Sequence, residues 1–117
     1  MNTTTAQLSE HQIQAQIIAY FNQHYPNHRK CLFHVQQKAS NALEGARFKT
    51  LGVTAGVSDL ILLAPNGITY FLELKDDKGK QSDHQKAFQQ QAESLGHIYR
   101  IIRSLSEFQT LLSTIPY

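Results

Sequence analysis

Apolar residues recur at helical spacing in "SEHQIQAQIIAYFNQHYP", where Ile13, Ile17 and Phe21 form one stripe behind Ser9 and Gln12, a pair with capping-box spacing. The pattern predicts a helix over residues 9–24, closed by Pro26. The short apolar run in "CLFHVQQ" predicts a strand over 31–37. "NALEGARFKTLG" reads as helical or irregular up to Gly52, which suits a helix C-cap, although Gly45 lies inside the segment. Two apolar runs, 57–63 and 68–75, flank Pro65, Asn66 and Gly67 and read as a hairpin. Beyond the charged, glycine-containing loop "DDKGKQ", Ser82 and Gln85 make a second capping box for a helix running to Leu95 and stopped by Gly96. "HIYRIIR" predicts a strand, and Ser104 with Glu107 a third capping box for a helix through "EFQTLLSTI". The hairpin is antiparallel and the last strand follows a crossover helix, so the fold class is α/β with a mixed sheet flanked by helices.

The hairpin "SDLILLAPNGITYFLELK" carries charges where its apolar neighbours call for burial. Alternation sets Phe71, Glu73 and Lys75 on one face and Tyr70, Leu72 and Leu74 on the other. Whether Asp59 joins the first face depends on the turn. A two-residue loop sets it opposite Leu72, whereas a three-residue loop of Pro65, Asn66 and Gly67 pairs Ala64 with Ile68 and Asp59 with Glu73. Pro65 at the first central position of a type I turn, with Gly67 left-handed after it, favours the second register.

Two facing carboxylates in a partly buried site either share a proton or bind a cation. Hard oxygen donors suit Mg²⁺ or Mn²⁺, to which the Leu74 carbonyl can add a ligand. Lys75 is then placed to position or activate a water and to offset charge in a transition state. A plainer reading makes Asp59 the start of a solvated strand and Glu73 with Lys75 an exposed ion pair. "ELK" alone fits that reading better, and Asp59 at the matching register turns the balance toward a site. Glu10 precedes Ile13 and Ile17 on the inward face of the first helix, although a carboxylate is also favoured at any helix N-terminus. Gln85 precedes Phe88, Ala92 and Leu95 on one helix face and should look at the sheet near Lys75; it also fits as the reciprocal cap of Ser82.

Composition narrows the class without deciding it. With 117 residues, 41% hydrophobic and 17% charged, the chain reads as one folded domain over 1–117 with a frayed start at 1–7. A formal net charge of +2 neither demands nor opposes a nucleic-acid partner. No Lys or Arg precedes Arg29, so no basic flank of a secretory signal is expected. No apolar run approaches the roughly 20 residues of a membrane span. A single cysteine, Cys31, excludes an internal disulfide and every paired-cysteine zinc pattern, and it reads as a packed thiol. The six histidines are scattered, so no zinc site is assigned. The expected location is the cytoplasm of a bacterial or phage-encoded protein, or the nucleus of a eukaryotic one.

"SEHQIQAQII", "GVSDLIL", "FLELK", "GKQSDHQKAF" and "GHIYRIIRS", in that order, resemble the VRR-NUC family (virus-type replication-repair nucleases) of the PD-(D/E)XK superfamily, over nearly the whole chain from Ser9 to about Leu112. The resemblance implies a restriction-endonuclease-like fold with an α-β-β-β-α-β core and a Mg²⁺- or Mn²⁺-dependent nuclease. By matching position it implies Asp59 and Glu73 as metal ligands, Glu10 as a first-helix acid and further candidate ligand, Lys75 as the catalytic lysine and Gln85 as the helix glutamine near the site. Short stand-alone members are similar to Holliday-junction resolvases and act as homodimers. Ser58 departs from the proline in the superfamily name, and "HVQQKAS" from the Asn-Gly-rich segment common in relatives.

Phosphate contacts are expected from Lys38, Arg47, Lys49, Lys78 and Lys80 in segments flanking the hairpin, with Lys78 and Lys80 favoured because their mobile loop follows the catalytic strand. Tyr99 reads as a core residue of the final strand that could also stack or hydrogen-bond near the site. The expected function is a structure-selective DNA endonuclease, homodimeric and acting on branched DNA as a junction resolvase does. The alternatives are a flap, duplex-end or restriction nuclease and, in another class, a non-catalytic nucleic-acid-binding module.

Overall fold

The structure is a computed structural model that describes residues 7–35 and 39–117. Helix α1 spans Glu10–His24 and starts at Ser9, whose hydroxyl accepts from the Gln12 N–H while the Gln12 side chain accepts from the Ser9 N–H. A 3₁₀ turn, Pro26–Cys31, leads into strand β1, Leu32–His34. Helix α2, Ala42–Thr50, is capped by the Asn41 side chain and followed by Gly52 at φ +92°. Strands β2, Leu60–Leu63, and β3, Thr69–Leu74, form the hairpin. Helix α3, Asp83–Ser94, strand β4, Ile98–Ile102, and helix α4, Leu105–Leu112, complete the chain. The sheet order is β1-β2-β3-β4, antiparallel except for the β3–β4 pair that α3 connects. This is the expected mixed sheet, with α2 inserted between the first two strands.

Period-two alternation divides the sheet between two layers. Leu60, Leu62, Leu72 and Leu74 are buried with Ile13, Ile17 and Phe21 of α1 and with Phe108 and Leu112 of α4. Each such side chain contributes roughly 1.5–3 kcal/mol when taken fully from water, so this layer holds the hairpin rigid. The other face carries Phe71, which meets Phe88 of α3 edge to face at 5.0 Å, and Phe88 in turn lies 6.1 Å from Tyr99. Helix α2 belongs to neither layer: none of its residues is buried, and Leu43 is 75% exposed.

The hairpin register is the one that a three-residue turn produces. Leu60 pairs with Leu72 and Leu63 with Thr69, and the Ala64 N–H donates to the Ile68 carbonyl at 2.9 Å. The turn itself is not type I. Asn66 has φ +68° as well as Gly67 at φ +73°, and asparagine tolerates the left-handed region that most residues avoid. Three other expectations change. Cys31 closes the 3₁₀ turn instead of opening β1. Leu95, placed on the inward stripe of α3, is its exposed C-cap at 74%. The third capping box is half formed: Ser104 accepts from the Glu107 N–H, but the Glu107 carboxylate accepts from Arg103 N–H, one residue earlier. Among the described residues no helix is long and apolar enough to cross a membrane.

Candidate active site

Asp59 stands immediately before β2, and continuing the ladder one step past Leu60 and Leu72 sets it opposite Glu73. The ends of β1, β2 and β3 are cross-tied there. The Leu74 N–H donates to Asp59 Oδ2 at 2.8 Å, and the Val35 N–H donates to the Asp59 carbonyl at 2.9 Å. Ser58, the residue before Asp59, is fully buried and its hydroxyl donates to the Leu60 carbonyl at 2.8 Å. A side-chain hydrogen bond here holds the start of the strand where a proline ring would restrict the backbone.

Glu73 is 3% exposed, and its Oε2 accepts from Gln85 Nε2 at 2.8 Å and lies 3.5 Å from Lys75 Nζ. The capping box fixes which way the Gln85 amide points. Its Oε1 accepts from the Ser82 N–H at 2.8 Å, so the NH₂ end is left for the carboxylate. Both readings of Gln85, cap and site neighbour, hold at once. Burial, then the charge and close approach of the Asp59 carboxylate, push the Glu73 carboxyl up to about 8 against the opposing pull of Lys75. A carboxyl so placed keeps a proton at neutral pH unless a cation replaces it. The donor set fits a hard divalent ion: two carboxylates, with the Leu74 carbonyl beside them, is a common protein share of a Mg²⁺ site completed by water and substrate oxygens. Among the described residues no three His, Cys, Asp or Glu side chains group to hold a metal, so Glu10 does not converge with the other two carboxylates.

The carboxylates open into a cleft of about 760 Å³. Glu10 and Gln14 of α1 line it, as do Phe48 and Lys49 of α2, the 53–57 loop and the first turn of α3 with His84 and Gln85. Lys49 is therefore at the cleft. Arg47, Lys78 and Lys80 are not among its lining residues, and Lys38 lies outside the described residues. The loop after β3, expected to be mobile, is tied down. Asp76 Oδ1 accepts from the Lys78 and Gly79 N–H groups at 3.0 and 2.6 Å, and Arg103 Nη1 donates to the Asp76 and Gly79 carbonyls at 2.5 and 2.9 Å.

Sequence reasoning missed Gly56 and Arg103. Gly56 sits at φ +87°, and a Cβ there would come 2.2 Å from the His84 carbonyl oxygen, so this glycine lets the 53–57 loop lie directly on the start of α3. "GVSD" beside the hairpin was the available signal. Arg103 braces a loop more than twenty residues away, and nothing in its local pattern marks it. Tyr99 is a core residue at 1% exposure. Among the described residues its buried hydroxyl has no hydrogen-bond partner, the Gln81 side chain approaching outside hydrogen-bond geometry, and burial followed by the Glu73 charge pushes its pKa upward.

A mixed four-stranded sheet between helices, with paired acids where the central hairpin meets a cleft, is the restriction-endonuclease-like fold. Solved structures share it, two of them as follows. One, a "VRR_NUC domain protein", is 18% identical, covers 93% of this chain and 88% of its own, and superposes with a TM-score of 0.77. The other, a "VRR_NUC domain", is 15% identical over 92% of this chain and 98% of its own, with a TM-score of 0.55. No family model matches the chain, and no curated protein does.

Proposed function

We propose that the protein is a VRR-NUC nuclease: a Mg²⁺- or Mn²⁺-dependent enzyme that hydrolyses phosphodiester bonds in branched DNA, acting as a homodimer. The observation that carries this reading is the cross-strand pair of Asp59 and Glu73, with Lys75 Nζ 3.5 Å from Glu73 Oε2 and all three lining one cleft. Asp59, Glu73 and the Leu74 carbonyl would hold the divalent ion, which when bound lends Lewis-acid polarisation to the phosphoryl group. Lys75, its side chain 13% exposed, keeps a cation where negative charge grows on the phosphate and orients the attacking water. Gln85 steadies the Glu73 carboxylate through an amide whose other end is fixed by the helix cap. Lys49, which lines the same cleft, supplies a phosphate contact, and Glu10 adds negative charge to that lining. Two sites in a homodimer would allow the paired cuts that a four-way junction requires.

Incubation of labelled four-way junction, flap and linear duplex with Mg²⁺, Mn²⁺ or EDTA tests the proposal. Symmetrical paired nicks on the junction, lost with EDTA and in Asp59→Ala and Lys75→Ala, are expected. Cleavage that survives those variants sinks the assigned site, and equal cutting of linear duplex sinks the preference for branches.

A further inference from the structure

Phe48 stands outside the hydrophobic core of this fold. Phe21, Phe71, Phe88 and Phe108 all have aromatic partners, whereas among the described residues Phe48 and the exposed Phe33 have none. Phe48 belongs neither to the buried core nor to the partly buried residues packed on it. It is half-buried instead against the cleft, on a helix without a single buried residue. Val35, Val53 and Val57 line the cleft with it, and Lys49, the next residue, lines it too.

An apolar shelf beside cations and paired carboxylates suits one chemical class. Surfaces that hold intact duplex are strongly positive and contact mainly phosphates, but among the described residues Lys49 and Lys75 are the only Lys or Arg lining this cleft. Its volume of about 760 Å³ falls in the range of pockets that enclose small organic ligands. A flat aromatic ring next to a lysine is the arrangement that binds single strands, the base stacking on the ring and the phosphate meeting the ammonium. We propose that Phe48 stacks an unpaired base next to the scissile phosphate, so that the cleft takes an unpaired strand and α2 gains its packing partner from the substrate. This deepens the nuclease reading, on which it rests for the position of the phosphate, and it defines the feature of branched DNA that is read: a nucleotide out of the stack.

Fluorescence anisotropy of labelled oligothymidylate on the full-length protein, with Ca²⁺ added and cutting monitored separately, tests the shelf. Phe48→Ala is expected to weaken single-strand binding on the order of 5- to 150-fold, the range of one lost base stack, while Phe48→Tyr keeps most of the affinity. Linear duplex should bind both variants as it binds the unaltered protein. Phe48→Leu, which keeps apolar bulk without a flat ring, serves where the alanine variant loses its folded circular dichroism, and it should also lose single-strand affinity. Unchanged oligothymidylate binding in the alanine or leucine variant overturns the shelf, as does an equal loss on duplex or no single-strand binding by the unaltered protein. Failure of the nuclease reading shows separately, as absence of Mg²⁺- or Mn²⁺-dependent cutting.

Discussion

The Leu74 amide donates to Asp59 Oδ2 at 2.8 Å, so one oxygen of a candidate metal-binding carboxylate also fastens the two central strands together. Structure and chemistry can be separated at this residue. Asp59→Asn can retain an oxygen for the Leu74 N–H and should stay folded with little loss of stability. Asp59→Ala leaves that partly buried donor unpaired and should cost about 1–3 kcal/mol in urea unfolding. Under the nuclease proposal both variants lose cleavage by at least about 100-fold, a typical loss when one element of charge stabilisation is removed. An Asn variant that cuts normally would show that only the structural bond matters.

The Glu73 carboxyl, raised from 4.5 to about 8 by burial and by Asp59, makes metal-free stability depend on pH. Between those values the folded protein keeps a proton that the unfolded chain releases. Stability is therefore fully present below about 4.5 and is lost as pH rises through about 8, at most about 1.4 kcal/mol per pH unit for one proton. Urea midpoints at pH 5, 6.5 and 8 in EDTA should fall in that order. Mn²⁺ should restore the midpoint at pH 8, because an ion that binds the folded state alone stabilises it. Glu73→Gln should flatten the profile and abolish the Mn²⁺ effect.

Much of the hairpin and its neighbours could be foreseen, and the reason is parity. An odd turn length fixes which face each strand residue joins, so Asp59 follows opposite Glu73 once three turn residues are accepted. Gln85 was legible for a similar reason, three positions before Phe88 on the face that meets the sheet. Asn66 was misjudged because its side chain allows either hand of the backbone, and the turn selects the left-handed one. The free state of α2 could not be seen, since "ALEGARFKT" has helix formers and a cap but no stripe long enough to show whether anything covers it. Gly56 and Arg103 act through contacts made only after distant segments meet.

Gly56 and Gly52 form a controlled pair. Both have positive φ, +87° and +92°, but a Cβ at Gly52 meets nothing within 4 Å, whereas one at Gly56 would strike the backbone of His84 and Gln85. Gly52→Ala should cost only the left-handed penalty of about 1–2 kcal/mol. Gly56→Ala adds a clash that no side chain can relieve, so its loss of thermal stability should be clearly larger. It should also move the start of α3, and hydrogen exchange at the Gln85 and Lys86 amides should quicken in this variant alone.

Ser82 and Gln85 share a cap but not a role. Ser82→Ala removes the hydroxyl that accepts from the Gln85 N–H and should cost about 1 kcal/mol of stability. Its backbone N–H still donates to Gln85 Oε1, so cleavage should change little. Gln85→Ala loses both the reciprocal cap and the amide on Glu73, and it should lower cleavage as well as stability. Equal cleavage by the two variants would reduce Gln85 to a helix cap.

Arg103 holds Lys75 from a distance. Its Nη1 bridges the Asp76 and Gly79 carbonyls, and Gly79 in turn packs so closely on Lys75 that an added Cβ would lie 3.1 Å from the lysine Cδ. Releasing that brace frees the stem of the lysine whose ammonium is proposed to face the reacting phosphate. Arg103→Ala should therefore lower kcat by on the order of 10- to 100-fold, the scale of a small misplacement near the reacting atoms, while KM for junction DNA stays close to its original value. Arg103→Lys keeps one cation but not the fixed guanidinium plane, and it should recover part of the rate. A rise in KM with kcat unchanged would assign Arg103 to binding DNA directly, because a brace on Lys75 acts on the chemical step and leaves phosphate contacts elsewhere in the cleft intact.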